Sequence, residues 1–348
     1  MSSAGRREAK ADDMLAMHMA NELLTPKVAV AFILATAAIL AYASWRTGRV
    51  FDPAKVPLMG VMGAFVFAAQ MINFPILPGT SGHFGGGVLL AILLGPHAAT
   101  LVMASILIVQ CLIFQDGGLL ALGTNIFNLG VLPCYLGYAL FTVLAGSKPG
   151  AGRLYSAVFV STLTGMVSGA AMVPVQTTLS GIAAVPFSKF MAVMVGLHLL
   201  VALGEAIITF LVVGYLAKVR PESLGGVAQR LTPAGAGLGN KALIGSVLAV
   251  ALLLGAVVSN FASEWVDALE SVTAHEEAGD SALVKNQVNP FMAKVSEWQA
   301  RTALLPDYKW TSLSGTIGTI ITLLIVWVIG VSLRRNRKKP AASAGPPV

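Results

Sequence analysis

Met17 and His18 stand side by side in Met17-His18-Met19-Ala20-Asn21, and a chain that began at Met17 would open with a chelator. Its free α-amine, the deprotonated backbone nitrogen of His18 and the imidazole Nδ1 of His18 close fused five- and six-membered rings around a metal. One further imidazole completes a square plane of nitrogens. That arrangement suits Ni(II) or Cu(II) better than Zn(II), which prefers a tetrahedron, or Mg(II), which prefers oxygen. His83, in Gly79-Thr80-Ser81-Gly82-His83-Phe84-Gly85-Gly86-Gly87, is the natural fourth donor, because the glycines permit close backbone approach. The competing reading of His83 is a loop histidine bonded to backbone.

The other ionisable groups have less specific surroundings. His198 precedes Glu205 by seven residues on one helix face, and intramembrane charges are functional hypotheses by default. A structural hydrogen bond between packed helices is the rival for that pair. Asp116, in Gln115-Asp116-Gly117-Gly118, stands at a helix end, where it either attracts cations or caps the next helix. His97 follows Pro96 at a turn and reads as an interfacial or capping group, and His275 lies in an acidic stretch and reads as solvated. Cys111 and Cys134 fall in apolar runs with no CxxC spacing and read as small core hydrophobes. The chain carries no GxxxxGK[ST] phosphate loop, HExxH, GxSxG or kinase motif, so none of those routes to hydrolysis or phosphoryl transfer is available to it.

These groups must be held by a membrane bundle. The chain is 56% hydrophobic and 11% charged with a mean hydropathy of +0.77, against roughly a quarter charged in soluble domains. Apolar runs predict helices near 28–45, 56–73, 97–115, 119–146, 155–175, 188–217, 243–261 and 313–333, each long enough for a bilayer core. The basic loops 46–55, 148–153 and 218–241 and the tail Arg334-Arg335-Asn336-Arg337-Lys338-Lys339 belong in the cytoplasm by the positive-inside rule. Residues 55 and 148 then share a side only if 85–95 crosses as a short ninth helix. The expected topology is N-terminus out and C-terminus in, with 262–311 as an external linker that is acidic on balance. The net charge of +7 is thus a record of orientation and not a nucleic-acid footprint. Residues 1–16 have no apolar core and do not read as a secretory leader. A Gly/Ala/Pro-rich stretch, 219–242, separates a seven-helix block, 17–218, from a two-helix block, 243–339, and 340–348 reads as a disordered tail. A stripe of small residues, Gly60, Ala64 and Ala68, would let another helix approach, either from the same bundle or from a partner subunit.

Met17-His18, Asn73-Phe74-Pro75, Gly79-Thr80-Ser81-Gly82-His83, Ile92-Leu93-Leu94-Gly95-Pro96, Phe114-Gln115-Asp116-Gly117-Gly118 and His198 to Glu205-Ala206, in that order, resemble the CbiM/NikM family over about 17–218. The second block is similar to the small NikN-like partner with a PDGLE domain, through Phe261-Ala262-Ser263, Asp267-Ala268-Leu269-Glu270 and Leu305-Pro306-Asp307-Tyr308, although the PDGLE string itself is degenerate. The resemblance implies an all-α polytopic bundle, the substrate-binding component of an energy-coupling-factor importer for cobalt or nickel in a bacterial inner membrane. It implies a transmembrane coupling (T) subunit and cytosolic ATPases (A) as partners, no cofactor, no enzymatic activity in this chain and no nucleic acid. The fusion is more like the nickel arrangement, and a cobalt importer feeding cobalamin biosynthesis is the alternative.

Carried over by the same resemblance, the metal is held by Met17, His18 and His83. Asn73, Thr80, Ser81, Gln115 and Asn125 become candidates for bonding the other nitrogens of the imidazoles, and Asp116, His198 and Glu205 candidates for gating. The chain departs from the pattern in its 16-residue extension. An amide nitrogen at Met17 cannot replace an amine, because its lone pair is delocalised, so Met17 is expected to be the true first residue. Two readings of another class remain at this stage: a proton-coupled secondary transporter using Asp116, His198 and Glu205, and an intramembrane metalloenzyme with His83 and His198 as ligands.

Overall fold

The computed structural model describes residues 18–146, 150–183, 186–219, 239–269 and 289–335. Met17, the expected amine donor, His275 and most of the inter-block linker lie outside them. Eight of the described helices are long and apolar enough to cross a membrane. Helix α1, Pro26–Val50, begins on a proline at its first turn and stops at Phe51-Asp52 before Pro53, which disfavours a helical residue ahead of it. Helix α2, Val56–Gln70, is buried on all sides, and Phe74–Leu77 (β1) and Thr80–Gly82 (β2) then form an antiparallel hairpin.

The segment expected to cross as a ninth helix is helical only over α3, Gly87–Leu94, whose every residue is buried. Eight residues rise about 12 Å, well short of a bilayer core of about 30 Å. The hairpin and the loop at Gly85-Gly86 make up the rest. Lys55 Nζ donates to the Leu93 carbonyl at 3.3 Å, so the hairpin and α3 together return the chain to the end of the bundle where α2 began. Irregular backbone at that depth is tolerated only inside protein, and this segment is walled by α2 and by α4, Pro96–Phe114.

Leu122–Ala145 (α5) contains two π-wound stretches, Ile126–Val131 and Pro133–Gly137, a distortion often found beside functional side chains. It packs on α6, Ala151–Leu179, and α6 on α7, Phe187–Val219. Pro174 lies inside α6 without ending it, as membrane helices permit.

The second block does not stand apart. Helices α8, Asn240–Ala256, and α10, Thr311–Arg335, clasp α2. Gly255 and Gly315 meet where they cross, so closely that a Cβ on either would strike the other's backbone. The small-residue stripe on α2 is filled from within the chain: Gly60 faces Leu323 and Trp327 of α10. Of the two occupants left open by the sequence, this is the same bundle and not a partner. The region 262–311 is more than a linker, because residues 289–311 fold. Helix α9, Pro290–Thr302, is capped by the Asn289 side chain and lies over the His18 end of the first block.

Candidate metal centre

His18 and His83 come together from far apart in the chain. Their ring centres are 5.3 Å apart, His18 is 2% exposed and His83 9%. Four groups fix the approach of the N-terminal segment. Asn125 clamps Met19 from both sides, its Oδ1 accepting from the Met19 N–H and its Nδ2 donating to the Met19 carbonyl, each at 3.0 Å. The Gly118 N–H donates to the same carbonyl. Asn21 Oδ1 accepts from the Leu120 and Ala121 N–H groups, satisfying backbone donors at the entry to α5, while its Nδ2 donates to Ser296 of α9. Gln299 of α9 accepts from the Leu119 N–H and donates to the Cys111 and Gly117 carbonyls.

His83 is placed by its glycine loop, and that loop is gripped from α7. The buried Glu205 carboxylate accepts from the Gly85 N–H at 3.1 Å and the Gly86 N–H at 2.9 Å. Gly86 adopts φ +82°, and a Cβ there would meet Val66 and Phe84, so both the conformation and the space require glycine. The His83 Nδ1–H donates to the Phe84 carbonyl at 3.3 Å. Burial, and then the neighbouring His18, push its pKa down to about 4, so the ring is neutral across the physiological range.

His18 has the opposite character. Its Nδ1–H donates to Asp116 Oδ1 at 2.7 Å, and its Nε2 is buried with no hydrogen-bond partner. Burial acts to lower its pKa, yet the charge and hydrogen bond of Asp116 outweigh that and raise it. Asp116 is desolvated as well, but His18 and the Tyr308 hydroxyl, which donates to Oδ2 at 2.7 Å, hold its pKa below the usual value. The chelate read from the sequence needs Nδ1 of His18, the atom now bonded to Asp116. Assembling that chelate requires the imidazole to turn and leave Asp116.

The two histidines line a cavity of about 50 Å³ together with His198, Asn128, Asp267, Met19, Met166 and Met194. The π-wound part of α5 carries Asn128, which pairs reciprocally with Gln176 of α6. His198 donates through Nδ1–H to the Met194 carbonyl one turn back. His97 is at the other end of the bundle, bonded to Tyr135, and Cys111 and Cys134 are buried free thiols.

The remaining sequence candidates have mixed placements. Asn125 and Gln115 are buried around the N-terminal segment, Gln115 at a left-handed φ of 60°. Ser81 bonds the second block and not an imidazole: its hydroxyl donates to the Trp265 carbonyl and its N–H to that of Val266. The Asn73 carbonyl accepts from the Ser263 N–H, and Thr80 pairs across the hairpin with Leu77. Of the gating candidates, Asp116 is bonded to His18 and Glu205 to the backbone of the loop that carries His83. Sequence reasoning did not single out Asn21, Gln299, Tyr308 or Asp267 as site residues. Only the strings quoted around Asp267 and Tyr308 drew notice to two of them.

Comparison with known proteins places this geometry in context. Residues 18–223 match the family model described as the cobalt uptake substrate-specific transmembrane region, and residues 241–335 match the PDGLE domain. A fused nickel transport protein NikMN of Archaeoglobus fulgidus is 32% identical over 317 residues, covering 91% of this chain and 96% of that protein. A fused nickel transport protein LarMN of Lactiplantibacillus plantarum is 28% identical, covering 92% of this chain and 97% of its own length. A crystal structure of a truncated transition metal transporter aligns with 58% of this chain and 98% of its own, at 31% identity and a TM-score of 0.51.

Proposed function

Because the chain belongs to the CbiM family of cobalt uptake substrate-specific transmembrane proteins, carried in one polypeptide with a PDGLE domain, we propose that it captures Ni(II) at the extracytoplasmic face and passes it inward as the substrate-specific component of an energy-coupling-factor importer. The observation that carries the reading is the buried meeting of His18 and His83, with ring centres 5.3 Å apart, beside a cavity lined by residues of α5, α6 and α7. The Met17 amine and the backbone and imidazole nitrogens of His18 form the chelate, and His83 completes the square plane. The fused arrangement, similar to the nickel relatives in Archaeoglobus and Lactiplantibacillus, favours nickel over cobalt.

Capture proceeds by exchange. The imidazole of His18 leaves Asp116 and gives up the proton on Nδ1, the Met17 ammonium and the His18 backbone N–H release theirs to solvent, and the three nitrogens close on the metal, drawing the N-terminal segment against the His83 loop. The lone pairs are scarce: among the described residues, no three His, Cys, Asp or Glu side chains converge into a ready-made metal cage. Amine and backbone nitrogens are therefore essential donors, which makes a free N-terminus at Met17 a requirement of the mechanism. In this reading inward release draws on ATP hydrolysed by separate cytosolic ATPases through a transmembrane coupling subunit, and the chain itself lies in a bacterial inner membrane with its C-terminus inside.

The test is uptake of labelled nickel into reconstituted vesicles, together with N-terminal sequencing of the active protein. Uptake that needs ATP and the partner subunits, by protein starting at Met17, is the expected result. Uptake by the chain alone under a pH gradient would replace this reading with secondary transport, and a transport-active preparation beginning with an intact Met1 would remove the chelate.

A further inference from the structure

The second block reaches the metal centre through a short extended segment. The Ser263 N–H donates to the Asn73 carbonyl at 2.8 Å, the Ser81 N–H to the Val266 carbonyl at 2.8 Å and the Ser81 hydroxyl to the Trp265 carbonyl at 2.6 Å. Ser81 and Asp267 pair as a parallel bridge. Residues 263–267 are thus laid against β2, two residues before His83. This register is set by backbone bonds on one side and a buried serine on the other, so the segment is seated in a defined position.

It brings Asp267 to the cavity wall. Asp267 is 3% exposed and lines the same cavity as His18, His83 and His198, and its charge is felt at His18. A dication taken into such a site leaves its hydration behind, a cost recovered only where opposite charge and good ligands meet it. Neutral imidazoles and an amine bring no charge, and one deprotonated backbone nitrogen leaves a net charge of plus one on the complex. Two further carboxylates are buried in this region: Asp116 has Oδ1 on His18 and Oδ2 on Tyr308, and Glu205 accepts from the Gly85 and Gly86 N–H groups.

We propose that Asp267 is the charge-compensating carboxylate of the metal centre, so that the PDGLE block completes a divalent-cation site whose nitrogens all come from the first block. This rests on the reading of His18 and His83 as metal donors. Asp267 faces the cation across the cavity, and its negative charge sets the affinity for divalent ions. The backbone pairing with Ser81 keeps that charge in place, which ties metal affinity to the docking of the second block.

The experiment is titration of Ni(II) and Co(II) into the purified full chain with its N-terminus at Met17, compared with Asp267→Asn, Asp267→Glu, Glu264→Gln and His83→Ala. Asp267→Asn keeps the shape and removes the charge, and is expected to weaken both metals about tenfold or more, whereas Asp267→Glu keeps the charge and stays within about threefold. Glu264, exposed in the same segment, is the control for general acidity, and its neutral variant is expected to bind as the parent does. Parent-like binding by Asp267→Asn while His83→Ala has lost it overturns the role of Asp267 alone. Equal losses in the Asn and Glu variants overturn it too, because shape and not charge would then matter. Retained tight binding in His83→Ala overturns the underlying metal reading. If Asp267→Asn fails to reach the membrane, Asp267→Ser makes the same comparison.

Discussion

Nδ1 of His18 lies 2.7 Å from Oδ1 of Asp116, so the atom a metal chelate must use is already held by a carboxylate. In the proposed mechanism, capture of the ion and release of Asp116 are the same event, with Asp116 and the metal competing for one nitrogen. Asp116 is held in turn by Tyr308, which comes from the second block and stacks its ring on Phe114 at 4.7 Å.

Tyr308→Phe keeps the stack and deletes the hydroxyl that donates to Asp116. A hydrogen bond to a charged group contributes about 1.5–3 kcal/mol. The variant is expected to lose a stability of that order in thermal melts of the detergent-solubilised protein. Asp116, deprived of a donor that favours its ionised form, should also titrate higher. An unchanged melting midpoint would mean that the hydroxyl is equally well served by water.

Proton competition should be one-sided. The His18 pKa is raised from 6.5, because the Asp116 carboxylate outweighs burial, whereas that of His83 is lowered to about 4. A raised pKa means the proton is held until the pH climbs past it, so nickel affinity rises with pH as His18 and the α-amine, near 8, release their protons. His83 adds nothing to that slope above about pH 5. Calorimetry in buffers of different ionisation enthalpy near pH 7 should count about two protons or more released per metal, one from the His18 backbone N–H and the rest from the amine and imidazole. An affinity flat from pH 6 to 8 would contradict the assignment.

His83→Ala removes the fourth nitrogen and is expected to abolish tight nickel binding. The chain should still insert and purify, since the hydrogen bond from His83 to the Phe84 carbonyl is local and holds no two helices together. Retained micromolar binding would sink the square-planar site.

Glu205→Gln tests whether the grip on the His83 loop matters. The carboxylate accepts from two adjacent backbone N–H groups, and an amide can accept with only one of its two ends. Loosening the loop by about 1.4 kcal/mol would weaken nickel about tenfold. The loss should appear in binding by the isolated protein, without partner subunits or a proton gradient. Unchanged binding joined to lost transport would return Glu205 to a gating role.

Much of this architecture is legible from composition. Apolar runs locate the eight long helices to within a few residues, because a bilayer imposes a length rule that each segment must obey alone. The pairing of His18 with His83 was also accessible, since chelate chemistry depends on residue type and adjacency. What escaped depends on distant backbone. The hairpin at 74–82 arises in a Pro/Gly-rich stretch with no strand alternation, and residues 263–267 dock through backbone N–H and C=O groups that almost any sequence would supply. An acidic stretch reads as solvated, and nothing local marks Asp267 as the residue that is buried there.

The short helix Gly87–Leu94 bears on how the protein is made. A translocating ribosome would deliver α2 and α4 as segments able to enter lipid on their own, whereas the hairpin and eight residues between them cannot leave a membrane-insertion channel as a stable helix. That piece must wait for its neighbours to build the walls around it. The loop that carries His83 is consequently expected to settle only once its neighbouring helices stand beside it.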